Sequence, residues 1–210
     1  TLVILFFMHV KYGLRLTWLS LNGSLPQVLK QLLIVLLAMT LGKLTGHLLR
    51  LQDWSNRVGR SARQRIAAAK PGDPARASEG FKVCAALFCA APLGLLGSLQ
   101  DGLSGYAYPL GIKAVMDGLA TMGFASLFGG GTLLAALPVL AFQGTLTLAT
   151  AQYLRPFLQA HGLALLDSVN AVGGLLVFSV ALVILELKRL ELADYLPSLV
   201  LAPVLTWLLH

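Results

Sequence analysis

LFCAAPLGLLGSLQDGLSGYAYPLGIKAVMDGLATMGFASLFGGGTLLAALPVLAFQG, Leu87 to Gly144, decides the fold. The stretch is almost wholly apolar, yet it carries Gln100, Asp101, Ser104, Lys113, Asp117 and Gln143 beside Pro92, Pro138 and many glycines. In water such residues would mean little. In a chain this apolar they sit at or inside a membrane, where each polar group is costly.

The rest of the chain supports that reading. It is 57% hydrophobic and 12% charged over 210 residues, with a mean hydropathy of +0.77. Soluble domains carry about 25% charged residues. The net charge of +7 is concentrated, since half of the sixteen Lys and Arg fall between Arg50 and Lys82. That is the signature of a loop on the cytoplasmic side of a bilayer, and nucleic acid is not expected as a partner.

Outward from the central stretch, Val28–Leu49 reads as a span. Its Gly42 and Gly46 form a small-xxx-small pair suited to close helix approach, including the approach of a second copy. Lys43 and His47 near its end are placed to reach the headgroups. Arg50–Arg76 is basic, with Leu51, Trp54, Val58, Ala62 and Ile66 on one helical face. This predicts an amphipathic helix on an anionic surface, within a cytoplasmic loop over residues 50–79. Lys70–Glu79 is its polar linker.

Phe81–Leu99 is an apolar run interrupted at Pro92 and Gly94, and Tyr108–Phe128 is the next. Thr132–Leu154 is a span expected to break at Pro138, where a backbone hydrogen bond is lost. Leu163–Leu185 holds Asn170 and Gly173-Gly174. A charged loop, Glu186–Asp194, leads to a short last span, Leu196–Leu209. Thr1–Val10 reads as the surviving end of an earlier helix in an N-terminally trimmed chain, with an outer loop at Leu21–Gln27. The expected fold is an all-α polytopic transmembrane bundle of six to seven spans, with Gly- or Pro-interrupted helices, forming one domain over residues 1–210. Alternation puts the loops near Gly129 and Lys188 on the side of the basic loop, and those near Gly105 and Arg155 on the other.

Two readings stand for each polar group. Lys113 and Asp117 are four apart on one helical face, so they form either a structural ion pair or a site in which Asp117 binds a cation, a proton or a polar solute. GSLQDGLSG is a poor continuous helix, because each interior Gly costs about 1 kcal/mol against Ala. Asp101 therefore lies either in a broken helix lining a wet cavity or in an exposed turn. Gln143 and Asn170 are either cavity residues or interhelical glue. Cys84 and Cys89, five apart, read as core residues. His9, His47, His161 and His210 all fall near span ends. There is no GxSxG, HExxH or Walker loop, so no enzyme, metal or cofactor is expected.

The motifs GSLQDGLSG (Gly97–Gly105), KAVMDG (Lys113–Gly118), LPVLAFQG (Leu137–Gly144) and VNAVGGLL (Val169–Leu176), with LFCAAPLGLLGS before the first, resemble the YqgA/YdfK-like family, the domain of unknown function 554. The resemblance covers most of Val28–Leu205. It implies a bacterial inner-membrane protein with transport as the expected role. It also implies that Thr1–Val10 corresponds to a second helix, the family's first helix and its basic loop not being present. The substrate- or ion-binding residues expected from the sequence are Gln100, Asp101, Ser104, Lys113, Asp117, Gln143 and Asn170. The expected partners are the lipid bilayer, a small solute or cation, and a second copy of the chain. The alternative function is a structural or regulatory membrane scaffold.

Overall fold

A computed structural model describes residues 25–69, 75–184 and 190–209. The helix end expected at Thr1–Val10 lies outside them. Among the described residues the structure is helical. Five helical stretches are long and apolar enough to cross a membrane: Leu25–Leu48, Tyr108–Phe128, Gly130–Ala160, Leu163–Val180 and Leu192–Leu209. Arg76–Ala90 and Pro92–Ser104 pass the same test together, bent by 55° at their junction, and as one broken span make a sixth candidate crossing. We label Leu25–Leu48 α1, Leu51–Ala68 α2, Arg76–Ala90 α3, Pro92–Ser104 α4, Tyr108–Phe128 α5, Ala136–Ala149 α6, Arg155–Ala160 α7, Leu163–Ile184 α8 and Ser198–Leu209 α9.

The outer surface differs from that of a water-soluble protein. Leu36, Leu44, Met122, Leu140 and Leu148 are exposed, whereas Ser98, Gln100, Lys113, Asn170, Asp194 and Thr206 are buried. Lipid solvates leucine as well as a protein core does, so only the polar groups gain by turning inward. The main core joins α1, α4, α8 and α9 through Val35, Ala38, Leu96, Val172, Val177 and Ala202.

The bend between α3 and α4 follows from Pro92. A proline disfavours helical backbone at the residue before it, and Ala91 is extended, with φ −65° and ψ 124°. Pro92 then occupies the first turn of α4, where no N–H is required. From there α4 runs through Ser104 and ends at Gly105, whose φ of 68° suits glycine, with its N–H donating to the Asp101 carbonyl. This corrects the expectation that GSLQDGLSG is broken or looped. The break lies upstream, and packing outweighs the glycine propensity.

The second expected break also moves. Pro138 falls in the first turn of α6, after a 3₁₀ turn at Gly130–Ala135, and interrupts nothing. The irregular backbone is instead a π-helical segment at Thr150–Leu154, just before Pro156. Pro156 lacks the N–H that would bond Gln152, and the wider turn lets the chain continue helical. Likewise Leu25–Gln27, read as part of a loop, already belongs to α1, and Arg76–Glu79, read as linker, belongs to α3.

Three chain turns meet at one end of the described helices, and Lys188, placed on that side from the sequence, lies outside the described residues. Gly129 lies against Arg76 and Gly131 against the Ala77 carbonyl, while Asp194 accepts a hydrogen bond from the Gln52 N–H. The start of α3 thus shares one end with residues 129–131, and the start of α2 packs on residues 193–194.

Gly42 and Gly46 are used inside the chain, not left as a free face for a second copy. A Cβ on Gly42 would overlap Ser198, and one on Gly46 would overlap the Asp194 carbonyl. Gly46→Val is expected to cost about 1–3 kcal/mol, as overpacking does, or to prevent folding. Gly111, whose Cβ position is open, is the comparison. Thermal unfolding in detergent should show a lower midpoint for Gly46→Val than for Gly111→Val, and equal midpoints would contradict the packing.

Candidate functional site

The bend at Ala91 brings α4 close to α5 and α6. Gly94, in the first turn of α4, meets a long side chain from each of them. A Cβ there would lie 2.8 Å from Gln143 Nε2 and 2.9 Å from Lys113 Cε. The absent side chain at Gly94 is the space through which Lys113 and Gln143 reach the interior.

Lys113 is 3% exposed. Its ammonium donates to Asp117 Oδ2, one turn along α5, and lies 5.8 Å from the centre of the Phe88 ring. The aromatic face adds a cation–π contribution to the ion pair. Asp117 keeps a quarter of its side chain open, 23%. It faces a cleft of about 560 Å³ between α5 and α6, lined also by Gly118, Thr121, Thr132, Val139 and Gln143. Gln143 Nε2 is buried and donates to no protein acceptor. The cleft therefore presents one carboxylate edge beside the Thr121 and Thr132 side chains on otherwise apolar walls, while the unpartnered Gln143 Nε2 is buried next to it, against Gly94.

A second polar seam lies between α4 and α8. Gln100 is 1% exposed and packs on Gly173, where a Cβ would overlap its amide nitrogen. Neither polar atom of Gln100 has a hydrogen-bond partner, and the same holds for Ser98 Oγ and Asn170 Oδ1. Asn170 is one turn before Gly173, hence on the same face of α8. Buried amides without protein partners are the groups that internal waters satisfy.

The residues expected from the sequence thus separate into groups. Lys113, Asp117 and Gln143 come together. Gln100 and Asn170 form the second seam. Ser104 is exposed and donates to the Gln100 carbonyl of its own helix at 2.8 Å. Asp101 is half-buried near the end of α4. Because Gly94 lies against Lys113 and Gly97 against Leu110, α4 and α5 run antiparallel. Seven residues from Gly94 one way and four from Lys113 the other, Asp101 and Asp117 stand about 16 Å apart along the helices at 1.5 Å per residue. Asp101 does not share the cleft.

Gly94 and Asp194 were missed by sequence reasoning. Asp194, read as part of a charged loop, is 1% exposed. Arg50 turns the chain from α1 into α2 with a φ of 54° and supplies no side-chain cap. Asp194 Oδ1 caps α2 instead, accepting from the Gln52 N–H at 2.8 Å, while Gln52 Oε1 accepts from the Ala193 N–H at 3.2 Å. The other oxygen lies 3.6 Å from His47 Nδ1, and with Glu191 the three offer ligand atoms within 4.8 Å of one another. The capping bonds account for the buried carboxylate without a metal. Cys84 is buried, Cys89 half-buried, and both are free thiols.

Apolar helices facing outward and buried ionic and amide groups inside define a polytopic α-helical membrane protein. Residues 6–207 match the family model described as "Protein of unknown function (DUF554)". The chain belongs to that family. It is 33% identical over 134 residues to the "Uncharacterized membrane protein YdfK" of Bacillus subtilis (strain 168), covering 63% of this chain and 56% of the relative. It is 31% identical over 170 residues to the "Uncharacterized protein YqgA" of Escherichia coli (strain K12), covering 80% of this chain and 70% of that relative. The chain thus spans little more than half of the length of YdfK. No solved structure matches it significantly.

Removing one partner of a buried ion pair costs about 3–5 kcal/mol, because the other charge is left uncompensated. Lys113→Met is expected to destabilise by about that amount, and Lys113→Met/Asp117→Asn to recover most of it. Denaturant unfolding in detergent micelles measures both. A single variant as stable as the double would show that the pair does not hold α5 in place.

Proposed function

We propose that the protein is a small inner-membrane transporter or channel-like protein, not an enzyme, with the Lys113–Asp117–Gln143 cleft as its polar centre. Asp117 is the group that meets the cation, proton or polar solute. Lys113 is its internal counter-charge, and Gln143 lines the cleft beside it. The observation that carries this reading is the buried Lys113 paired to an Asp117 whose free edge faces a cleft of about 560 Å³. An ionisable pair on a spanning helix is expensive, and one that keeps an open edge is arranged to exchange partners.

The cleft opens sideways between α5 and α6, and a second copy is the proposed closure. Gly118 on α5, which lines the cleft, meets nothing within 4 Å and permits such an approach. The basic loop at 50–79 faces the cytoplasm in this arrangement, by the positive-inside rule.

A membrane scaffold is the second reading. It is favoured by the fact that Lys113 and Asp117 already satisfy each other. Proteoliposomes under an imposed pH gradient, in sodium and in potassium buffer, separate the two. Wild type should dissipate the gradient faster than protein-free vesicles, and Asp117→Asn should lose at least tenfold of that rate. Equal rates for the two proteins would remove Asp117 from the pathway. A wild type no faster than empty vesicles would favour the scaffold.

A further inference from the structure

The surface helix α2 and the start of the bent crossing, α3, enclose a cleft of about 440 Å³ away from the polar centre. Arg57, Ser61 and Arg65 line it from α2, and Lys82 from α3. The first three are four apart, so they form one row along the helix. Its apolar walls include Val83 and Ala86. Glu79 bonds both Arg65 and Lys82 and so fixes two of the three cations in place. Arg57 has no ion-pair partner among the described residues. Among the lining residues and Glu79, three cations against one carboxylate leave a net charge of +2, with Asp53 one turn before Arg57 at the end of the same row.

We propose that this cleft holds the phosphodiester headgroup of an anionic phospholipid, with Arg57, Arg65, Lys82 and Ser61 around the phosphate and one acyl chain running past Val83 and Ala86. Guanidinium groups bind phosphate oxygens in a bidentate fork, and a hydroxyl adds a further donor. The combination of cations with an apolar wall selects a lipid over free phosphate, which would gain nothing from Val83 and Ala86. The cleft's place supports this. α2 is amphipathic, its buried Ala62 packs with Val83 and Phe128, and Trp54 on it stays exposed, as interfacial tryptophans do. Arg60 and Arg63 are exposed on α2 but do not line the cleft. They carry the same charge without the pocket, and so separate a built site from diffuse attraction.

The test uses the full chain in phosphatidylcholine nanodiscs titrated with phosphatidylglycerol, with bound lipid read by native mass spectrometry after release. Arg57→Gln/Arg65→Gln should weaken phosphatidylglycerol retention at least tenfold, and Arg60→Gln/Arg63→Gln less than twofold. Ser61→Leu, which fills the cleft and removes no charge, should weaken it comparably to the first pair. It carries the test if loss of the Arg65–Glu79 bond prevents folding. Equal losses for the two arginine pairs, or retention unchanged by Ser61→Leu, would overturn the site. So would phosphatidylcholine bound as tightly as phosphatidylglycerol. Displacement of the lipid by millimolar inorganic phosphate would assign the cleft to a free anion instead.

Discussion

Lys113 stands 3% exposed on a helix long and apolar enough to cross a bilayer, and its charge has to be compensated inside the protein. Asp117, one turn away, supplies the opposite charge, and the Phe88 ring covers the ammonium. Both neighbours depend on backbone placed elsewhere. The ammonium reaches its position because Gly94 has no side chain, and Gly94 stands there because Pro92 bends the chain by 55° between α3 and α4. The same bend brings Gln143 of α6 to the same point. One proline, one glycine and one ion pair therefore set the arrangement of four helices.

The remaining polar groups tie the other helices together. Gln100 and Asn170 are buried where α4 meets α8, and Thr147 Oγ1 donates to the Ser98 carbonyl at 3.3 Å, linking α6 to α4. At one end of the bundle Asp194 joins the turn before α9 to the start of α2, with Gly46 of α1 close beneath it. Hydrocarbon offers no hydrogen bonds, so groups like these report where helices are fixed to one another. The Lys113–Asp117 cleft differs from these seams in one respect. It keeps a partly exposed carboxylate on an open wall, which a purely structural contact does not require.

Helix identity was readable because each span is a long apolar run, and Tyr108–Phe128 is read from sequence with its observed ends. The pairing of Lys113 with Asp117 was readable from their spacing alone. Of the breaks, the one at Pro92 was readable, and those expected at Pro138 and within GSLQDGLSG were not found there. Pro138 looks like a helix breaker in the sequence, but the preceding 3₁₀ turn places it where a proline costs little. GSLQDGLSG looks broken, but Gly97 and Gly102 are contact points against Leu110 and Thr150. In a membrane, glycine marks close packing as often as irregular backbone. Asp194 was hidden for another reason. Its partner is an N–H of Gln52, 142 residues away, and no local pattern announces a cap supplied from such a distance. Asp101 is conspicuous in sequence beside Asp117, yet the antiparallel course of α4 and α5 separates them.

The central claim is that the α5–α6 cleft beside Asp117 is a wet polar centre and not a lipid-filled gap. Cysteine accessibility tests it most directly, in a background where Cys84 and Cys89 are replaced by Ala. Thr121→Cys lines the cleft, and Val115→Cys lies exposed on α5 outside it. A charged, membrane-impermeant thiol reagent should modify Thr121→Cys in intact proteoliposomes and leave Val115→Cys unmodified. Equal protection of both cysteines would contradict it.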